Sequence, residues 1–366
     1  MTFTPQICYG SDMCWDFRQQ GDLRRFKRGL TSAFFGAAHF LFAGVQTIGA
    51  APADVFGPTA GNSRSWSHMA DASAGEGLGN GLFVAANDED NVLRVYRLQQ
   101  GGAPIATWDA TPHMALAGKS TEMDIEGSAK INDTLYWITS HAPNREGKPR
   151  PNRKRFFATH VTVVNGKPAF HLAGKPVSTL LADLDRDPRY VDFKLAQAAL
   201  RPPKTKESLN IEALCDTPES GLLIGFRAPV IRGKALLAPL LNPAETVAGQ
   251  PPRFGDPLLL DLAGNGIRAM TRTDGTNYFI MAGSPLSGGT FQLYRWDGHR
   301  APKPDLSLLT LPSDATPEGL IAIESGDIHA LLVLSDDGMR LVNGKPAKSL
   351  PDPARKSFRG YFLRLP

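Results

Sequence analysis

The chain has 366 residues, 42% of them hydrophobic and 21% charged, the balance of a folded globular protein rather than a disordered one. A formal net charge of +4 is small and dispersed, which argues against a nucleic-acid-binding surface. Its 36 Gly and 29 Pro suit a fold made of many tight turns.

The N-terminus reads as an address. Arg24-Arg25-Phe26-Lys27-Arg28 precede an uncharged stretch, Gly29 to Ala50, and Ala51-Pro52-Ala53 offer small residues for cleavage. The apolar part is short and interrupted by Gly36 and His39, so residues 1–53 are expected to be a leader for export, with an N-terminal anchor as the alternative. No later segment is long and apolar enough to span a bilayer, and one domain is expected over 54–366. Cys8 and Cys14 fall in the leader; Cys215, alone in the remainder, follows an apolar run and reads as a small buried hydrophobe.

Beyond the leader, one pattern recurs five times: a polar turn, a short apolar strand, then a second apolar strand ending in polar groups. It begins with Ser73-Ala74 and Phe83 to Ala86, and continues with Ile125-Glu126-Gly127 and Tyr136 to Thr139. Then follow Ile211-Glu212-Ala213 with Leu223 to Phe226, and Ile267-Arg268-Ala269 with Phe279 to Ala282. The fifth copy is Glu318-Gly319-Leu320 with Leu332 to Leu334. A period near 50 residues built from short strands predicts an all-β fold, a β-propeller of five blades, with six as the alternative. Four strands can be read in each of the first four repeats, the fourth repeat ending in an expected strand from Leu306 to Leu311. The fifth repeat shows three, so the segment from Asp54 to Met69 is expected to supply the missing strand and close the ring.

The spacing is uneven. Glu126 to Glu212 is 86 positions, against 56 from Glu212 to Arg268 and 50 from Arg268 to Glu318. Two insertions account for the excess. One is a basic loop from Arg145 to Arg155, which reads as a solvated loop and lacks interleaved aromatics that would stack bases. The other covers about 177–200, where Leu180, Leu181, Leu184, Tyr190 and Leu195 predict short helices, placed over the site as a lid.

In a propeller the start of each innermost strand and the end of the next strand meet at one rim. That rim gathers Glu126, Glu212, Arg268 and Glu318 with Asp88, Ser140, His141, Arg227, Ser284 and Asp336. A polar central opening of this kind is the default ligand site, for a small-molecule or anionic ligand bound by a monomer. Three chemistries fit. Asp88, Glu126 and Glu212 supply oxygens for calcium. Arg227 and Arg268, with Arg155, suit a phosphate or carboxylate, and Ser140, Ser284 and Glu318 add ligand-binding groups. Glu126, Glu212 and His141 are candidate acid–base catalysts for hydrolysis. The bland alternative is that turn acids bond to nearby backbone and the arginines merely neutralise them. No G-x-S-x-G, H-E-x-x-H, P-loop or paired C-x-x-C motif is present.

Asn87 to Tyr96, Asp124-Ile125-Glu126-Gly127, Ser140-His141, Ile211-Glu212-Ala213 and Gly225 to Pro229 together resemble a bacterial family of unknown function, number 3616. The Asp-x-Glu-Gly element is also similar, more distantly, to propellers with esterase-like phytase activity. The resemblance implies an exported propeller with its site at the rim, and no particular reaction. Two classes of function stay open: a hydrolase of phosphate or carboxylic esters, and a non-catalytic propeller that binds a ligand or protein.

Overall fold

The computed structural model describes residues 63–365, apart from 166, 206, 274, 276, 306–309 and 326–327. The expected leader, the first part of the expected closing segment and most of the strand expected at Leu306 to Leu311 lie outside the described residues. In chain order, β1 (Ser63–Ser67) is followed by blade 1: β2 (Ala72–Gly79), β3 (Leu82–Asn87), β4 (Val92–Arg97) and β5 (Ala106–Asp109). Blade 2 is β6 (Ile125–Ile131), β7 (Thr134–Thr139), β8 (Phe156–Val164) and β9 (Lys167–Val177). After helices α1 (Leu180–Arg186) and α2 (Leu195–Ala198), blade 3 runs β10 (Asn210–Asp216), β11 (Leu222–Ile231), β12 (Lys234–Leu240), α3 (Pro243–Val247) and β13 (Leu258–Leu260). Blade 4 is β14 (Gly266–Arg272), β15 (Tyr278–Gly283), β16 (Gln292–Trp296) and β17 (Lys303–Pro304). Blade 5 starts with β18 (Pro317–Ser325) and β19 (Ile328–Ser335). A small hairpin, β20 (Leu341–Val342) with β21 (Lys345–Pro346), follows, and the last strand is β22 (Ser357–Arg364).

Each blade is an antiparallel sheet of four strands; in blade 5 the order is β18, β19, β22, β1. Five blades are therefore present, and the N-terminal β1 completes the last of them. Burial follows from position in the ring. The second strands, such as β3 and β15, are buried at every residue because a neighbouring blade covers each face, so they read as unbroken apolar runs. The outer strand β5 alternates between half-buried and exposed residues.

Five apolar clusters fill the five gaps between adjacent blades. Inner strands pack in sequence around the axis, β2 on β6, β6 on β10, β10 on β14, β14 on β18, and β18 back on β2. The approach is close: a Cβ on Gly127 of β6 would stand 2.8 Å from the backbone nitrogen of Leu214 in β10. A bare backbone is needed at that point.

The helical insertion departs from its expected place. Leu180, Leu181, Leu184, Tyr190 and Leu195 are buried with Phe156, Ile211 and Phe226 in the gap between blades 2 and 3, so α1 and α2 form a wedge rather than a lid. Their apolar side chains have no comparable shelter over the mouth. Among the described residues no helix is long and apolar enough to cross a membrane.

Closure centres on Trp66 of β1. It is fully buried, stacks on Phe358 of β22 at 5.5 Å and meets Phe83 of blade 1 edge-on at 4.9 Å. Its indole N–H donates to the Arg97 carbonyl at 2.9 Å, so one side chain ties the borrowed strand to both neighbouring blades. Trp66→Ala should cost about 3–5 kcal/mol of unfolding free energy in urea titrations, the range for deleting a large buried aromatic. A loss below about 1 kcal/mol would show that β1 does not hold the ring.

Candidate functional site

The five inner strands share an irregularity at the same end. In each, pairing with the next strand slips by one residue, leaving Ser73, Glu126, Glu212, Arg268 and Glu318 unpaired in a β-bulge. A bulge re-aims its side chain. Ser73, Glu126, Glu212 and Glu318 line a narrow passage along the axis. Above it opens a cavity of about 460 Å³, whose walls include Asp88, Asp124, Glu126, Arg227, Glu318 and Asp336. That volume suits a small-molecule ligand. The equivalence of the five positions follows from the repeat: each bulged residue is followed by a Gly or Ala near the start of its strand.

One half of the ring is electrostatically closed. Arg268 lies 2.8 Å from Glu212 on one side and contacts Glu318 on the other. Arg227 reaches Glu212 at 2.9 Å and donates to the carbonyls of Ser284 and Leu286, at 3.1 and 2.6 Å. Asn210 adds a bond to Glu212 at 2.5 Å. Both guanidinium groups are buried; Arg227 has its donors engaged, and Arg268 is ion-paired on both sides and off the cavity wall, although its Nε has no hydrogen-bond partner among the described residues.

The other half is open. Carboxylate oxygens of Asp88, Asp124 and Glu126 lie within 4.8 Å of one another. Asp124 is held by Arg153 at 2.8 Å and by the Ser140 hydroxyl, and its backbone adopts the left-handed conformation, φ 62°. Glu126 has no ion pair or hydrogen bond among the described residues, and Asp88 Oδ1 is buried without a hydrogen-bond partner. Burial first, and then the acids nearby, push Asp88 and Glu126 well above the usual carboxylate range. Burial also raises Asp124 to about 6 against the pull of Arg153, and Glu318 to about 7 against Arg268. Asp336 rises to about 6, chiefly by burial.

The remaining expected site residues have other partners. His141 is fully buried, its Nδ1 within 2.8 Å of the Thr139 carbonyl, and the cavity wall at that point is Ala142. Burial lowers His141 to about 4, which leaves it neutral and a weak base. The Ser284 hydroxyl accepts the Leu286 backbone N–H, and Ser140 accepts that of Ala142 while donating to Asp124. Arg155 is spent on the carbonyls of Met114, Pro151 and Lys154. Asp124 as a member of the acid group, and Ser73 as the fifth bulge, were missed by sequence reasoning. The Asp-x-Glu spacing and the aligned repeats carried both signals.

A family model described as "Protein of unknown function (DUF3616)" matches residues 158–338. The resemblance to family 3616 is borne out over that stretch, which holds the motifs at 211–213 and 225–229 but not those at 87–96, 124–127 and 140–141. The matched stretch runs from β8 past β19, so it contains Glu212, Arg227, Arg268 and Glu318 but neither Asp88 nor Asp124 nor Glu126. No curated protein matches the chain. Among solved structures, Myxococcus xanthus glutaminyl cyclase is similar at 13% identity and TM-score 0.40, covering 83% of this chain and 96% of that one. A calcium-binding protein, regucalcin, from Agrobacterium tumefaciens is similar at 10% identity and TM-score 0.37, with 81% and 91% covered. The GH43 protein BlXynB of Bacillus licheniformis gives 11% and 0.40, with 82% and 56% covered. At these scores the likenesses carry no argument about the reaction.

Removing one partner of a buried ion pair strands the other, so Arg268→Ala should destabilise the fold by about 3–5 kcal/mol, measured by urea unfolding. A near-neutral result would show that the ring does not depend on the Arg268 ion pairs. Stability should also depend on pH in a defined direction. The raised carboxyls hold protons in the folded chain that the unfolded chain has lost, so their contribution is present at low pH and disappears as pH rises through the folded values. His141 acts oppositely, but only between about 4 and 6.5. Above that, the raised carboxyls remain, among them Glu318 at about 7 and Glu76 of β2, which burial lifts to about 8. The melting midpoint in chelator-treated buffer should therefore fall between about pH 6.5 and 8 by scanning calorimetry; a rising midpoint would contradict the assignment.

Proposed function

We propose that the protein is an exported propeller that binds a divalent cation of the calcium class at Asp88, Asp124 and Glu126 and uses that site to hydrolyse a small phosphate or carboxylic ester. The observation that supports the reading is the convergence of three carboxylates in which Glu126 has no ion pair or hydrogen bond among the described residues and Asp88 Oδ1 is buried without a hydrogen-bond partner. Buried acids without compensation are costly, and a cation is the group that would complete them. All three donors are oxygens, which favours a hard cation over zinc or copper. Water and an ester oxygen would fill the remaining positions, and the cation would polarise that ester.

Glu126 is the residue placed to handle a proton, since it faces the cavity and has no fixed partner; Glu212 is held by two arginines and supports the ring. Export rests on the basic and apolar leader of residues 1–53. A non-catalytic reading is favoured by one feature: no histidine or cysteine is among the residues lining the cavity.

Calorimetric titration of chelator-treated protein with calcium should give a dissociation constant of about 0.1–1 mM, the range of extracellular calcium modules. Glu126→Gln or Asp88→Asn should abolish the heat while leaving the protein folded. Binding should weaken as pH falls from 7 to 5, because a proton returns to Asp124, at about 6. A screen of phosphate, sulfate and carboxylic esters with and without calcium then separates the two classes. Calcium-dependent turnover lost in Glu126→Gln supports the hydrolase, calcium binding without turnover supports the binder, and unchanged binding in both variants rejects the site.

A further inference from the structure

The anion-binding role expected of Arg227 and Arg268 needs new bearers, because Arg227 has its donors engaged and Arg268, ion-paired to Glu212 and Glu318, is not part of the cavity wall. Five basic residues line the cavity. Three already have carboxylate partners: Arg153 with Asp124, Arg227 with Glu212, and Lys348 with Glu89. Arg145 and Lys204 have no ion pair among the described residues, and both are exposed. They arrive from separate insertions, Arg145 on the loop after β7 and Lys204 on the segment after α2. The two segments touch, for a Cβ on Gly147 would lie 3.2 Å from Pro202.

The cavity wall thus carries two cations without an ion pair among the described residues, together with the acids Asp88, Asp124 and Glu126. We infer that Arg145 and Lys204 bind the oxyanion of a small organic phosphate or carboxylate that enters the cavity between them. Pro203 and Met339, also on the wall, give the organic part an apolar surface. Arg145 supplies a planar fork and Lys204 a mobile point charge, a pairing suited to a phosphoryl or carboxylate group with several acceptor lone pairs. The inference rests on the proposed cation site in one respect only: a cation held by Asp88, Asp124 and Glu126 would offset the acids that share the cavity with the bound anion.

The experiment titrates phenyl phosphate, and in a second arm benzoate, into the unaltered protein and into the Arg145→Ala/Lys204→Ala double variant, with and without calcium. Arg97→Ala/Lys167→Ala, two exposed cations at the far ends of outer strands, serves as a control of equal net charge. Expected is a loss of about tenfold or more in anion affinity in the cavity variant, as for removing charge-assisted hydrogen bonds, with calcium affinity unchanged. The control should bind like the unaltered protein. Equal anion affinity in the cavity variant and the unaltered protein, or an equal loss in the control, overturns the inference. Failure of calcium to bind any of the proteins rejects the cation reading separately, because the calcium-free arm still compares the variants. The ratio of phenyl phosphate to benzoate affinity tells which oxyanion the lip prefers.

Discussion

Convergence of five inner strands on one narrow axis is the constraint from which the rest follows. The strands approach so closely that positions such as Gly127 must lack a side chain, and the residues re-aimed by the five bulges must satisfy one another. Charges placed there are removed from bulk water and from its screening, so each has to be matched or held neutral. Arg268 between Glu212 and Glu318, with Arg227 behind, is the matched half. Ser73 meets the same demand without a charge, its hydroxyl donating to the Ile125 carbonyl at 2.5 Å.

The unmatched half is informative because the same fold shows, elsewhere on the ring, how such acids are neutralised. An arginine at the Glu126 position would have extended the alternation of acid and base. Instead Glu126 is joined by Asp88, from the turn after β3, and by Asp124, one residue before β6. Three acids drawn from two adjacent blades accumulate where like charges repel, and their raised protonation is the local consequence. A fold gains no stability from that concentration, which is why a ligand of opposite charge is the economical account of it.

Much of this was legible in the sequence. The five repeats, the missing strand of the fifth and its supply by the N-terminal segment could be read because each depends on periodic apolar runs, and the Ser63–Ser67 strand pairs with β22 as that reading requires. The candidate ring was legible for a related reason: equal offsets in the repeats must map to one level of a propeller. What sequence could not give was occupancy. Nothing in the residue types shows that Arg227 spends its donors on Glu212 and two carbonyls, or that His141 turns its Nδ1 to the Thr139 carbonyl. The lid reading failed for a different reason. Helical periodicity identified the apolar residues of 177–200 without revealing that a gap between blades 2 and 3 would bury them.

The uneven spacing of the repeats then acquires a physical meaning. Inner strands are fixed by the ring and cannot vary much, whereas connections between strands are free to lengthen. Both long insertions fall between Glu126 and Glu212, beside the unmatched acids, and one of them is anchored by a buried helical wedge rather than left as a loose loop. Anchoring matters because a cation on a mobile tether loses entropy when it engages a ligand, whereas one carried on a packed segment has already lost much of it. The wedge of α1 and α2 therefore does more than fill a gap: packed against Ile211 and Leu214 of the inner strand β10, it fixes the start of the segment that carries Pro203 and Lys204 to the cavity wall.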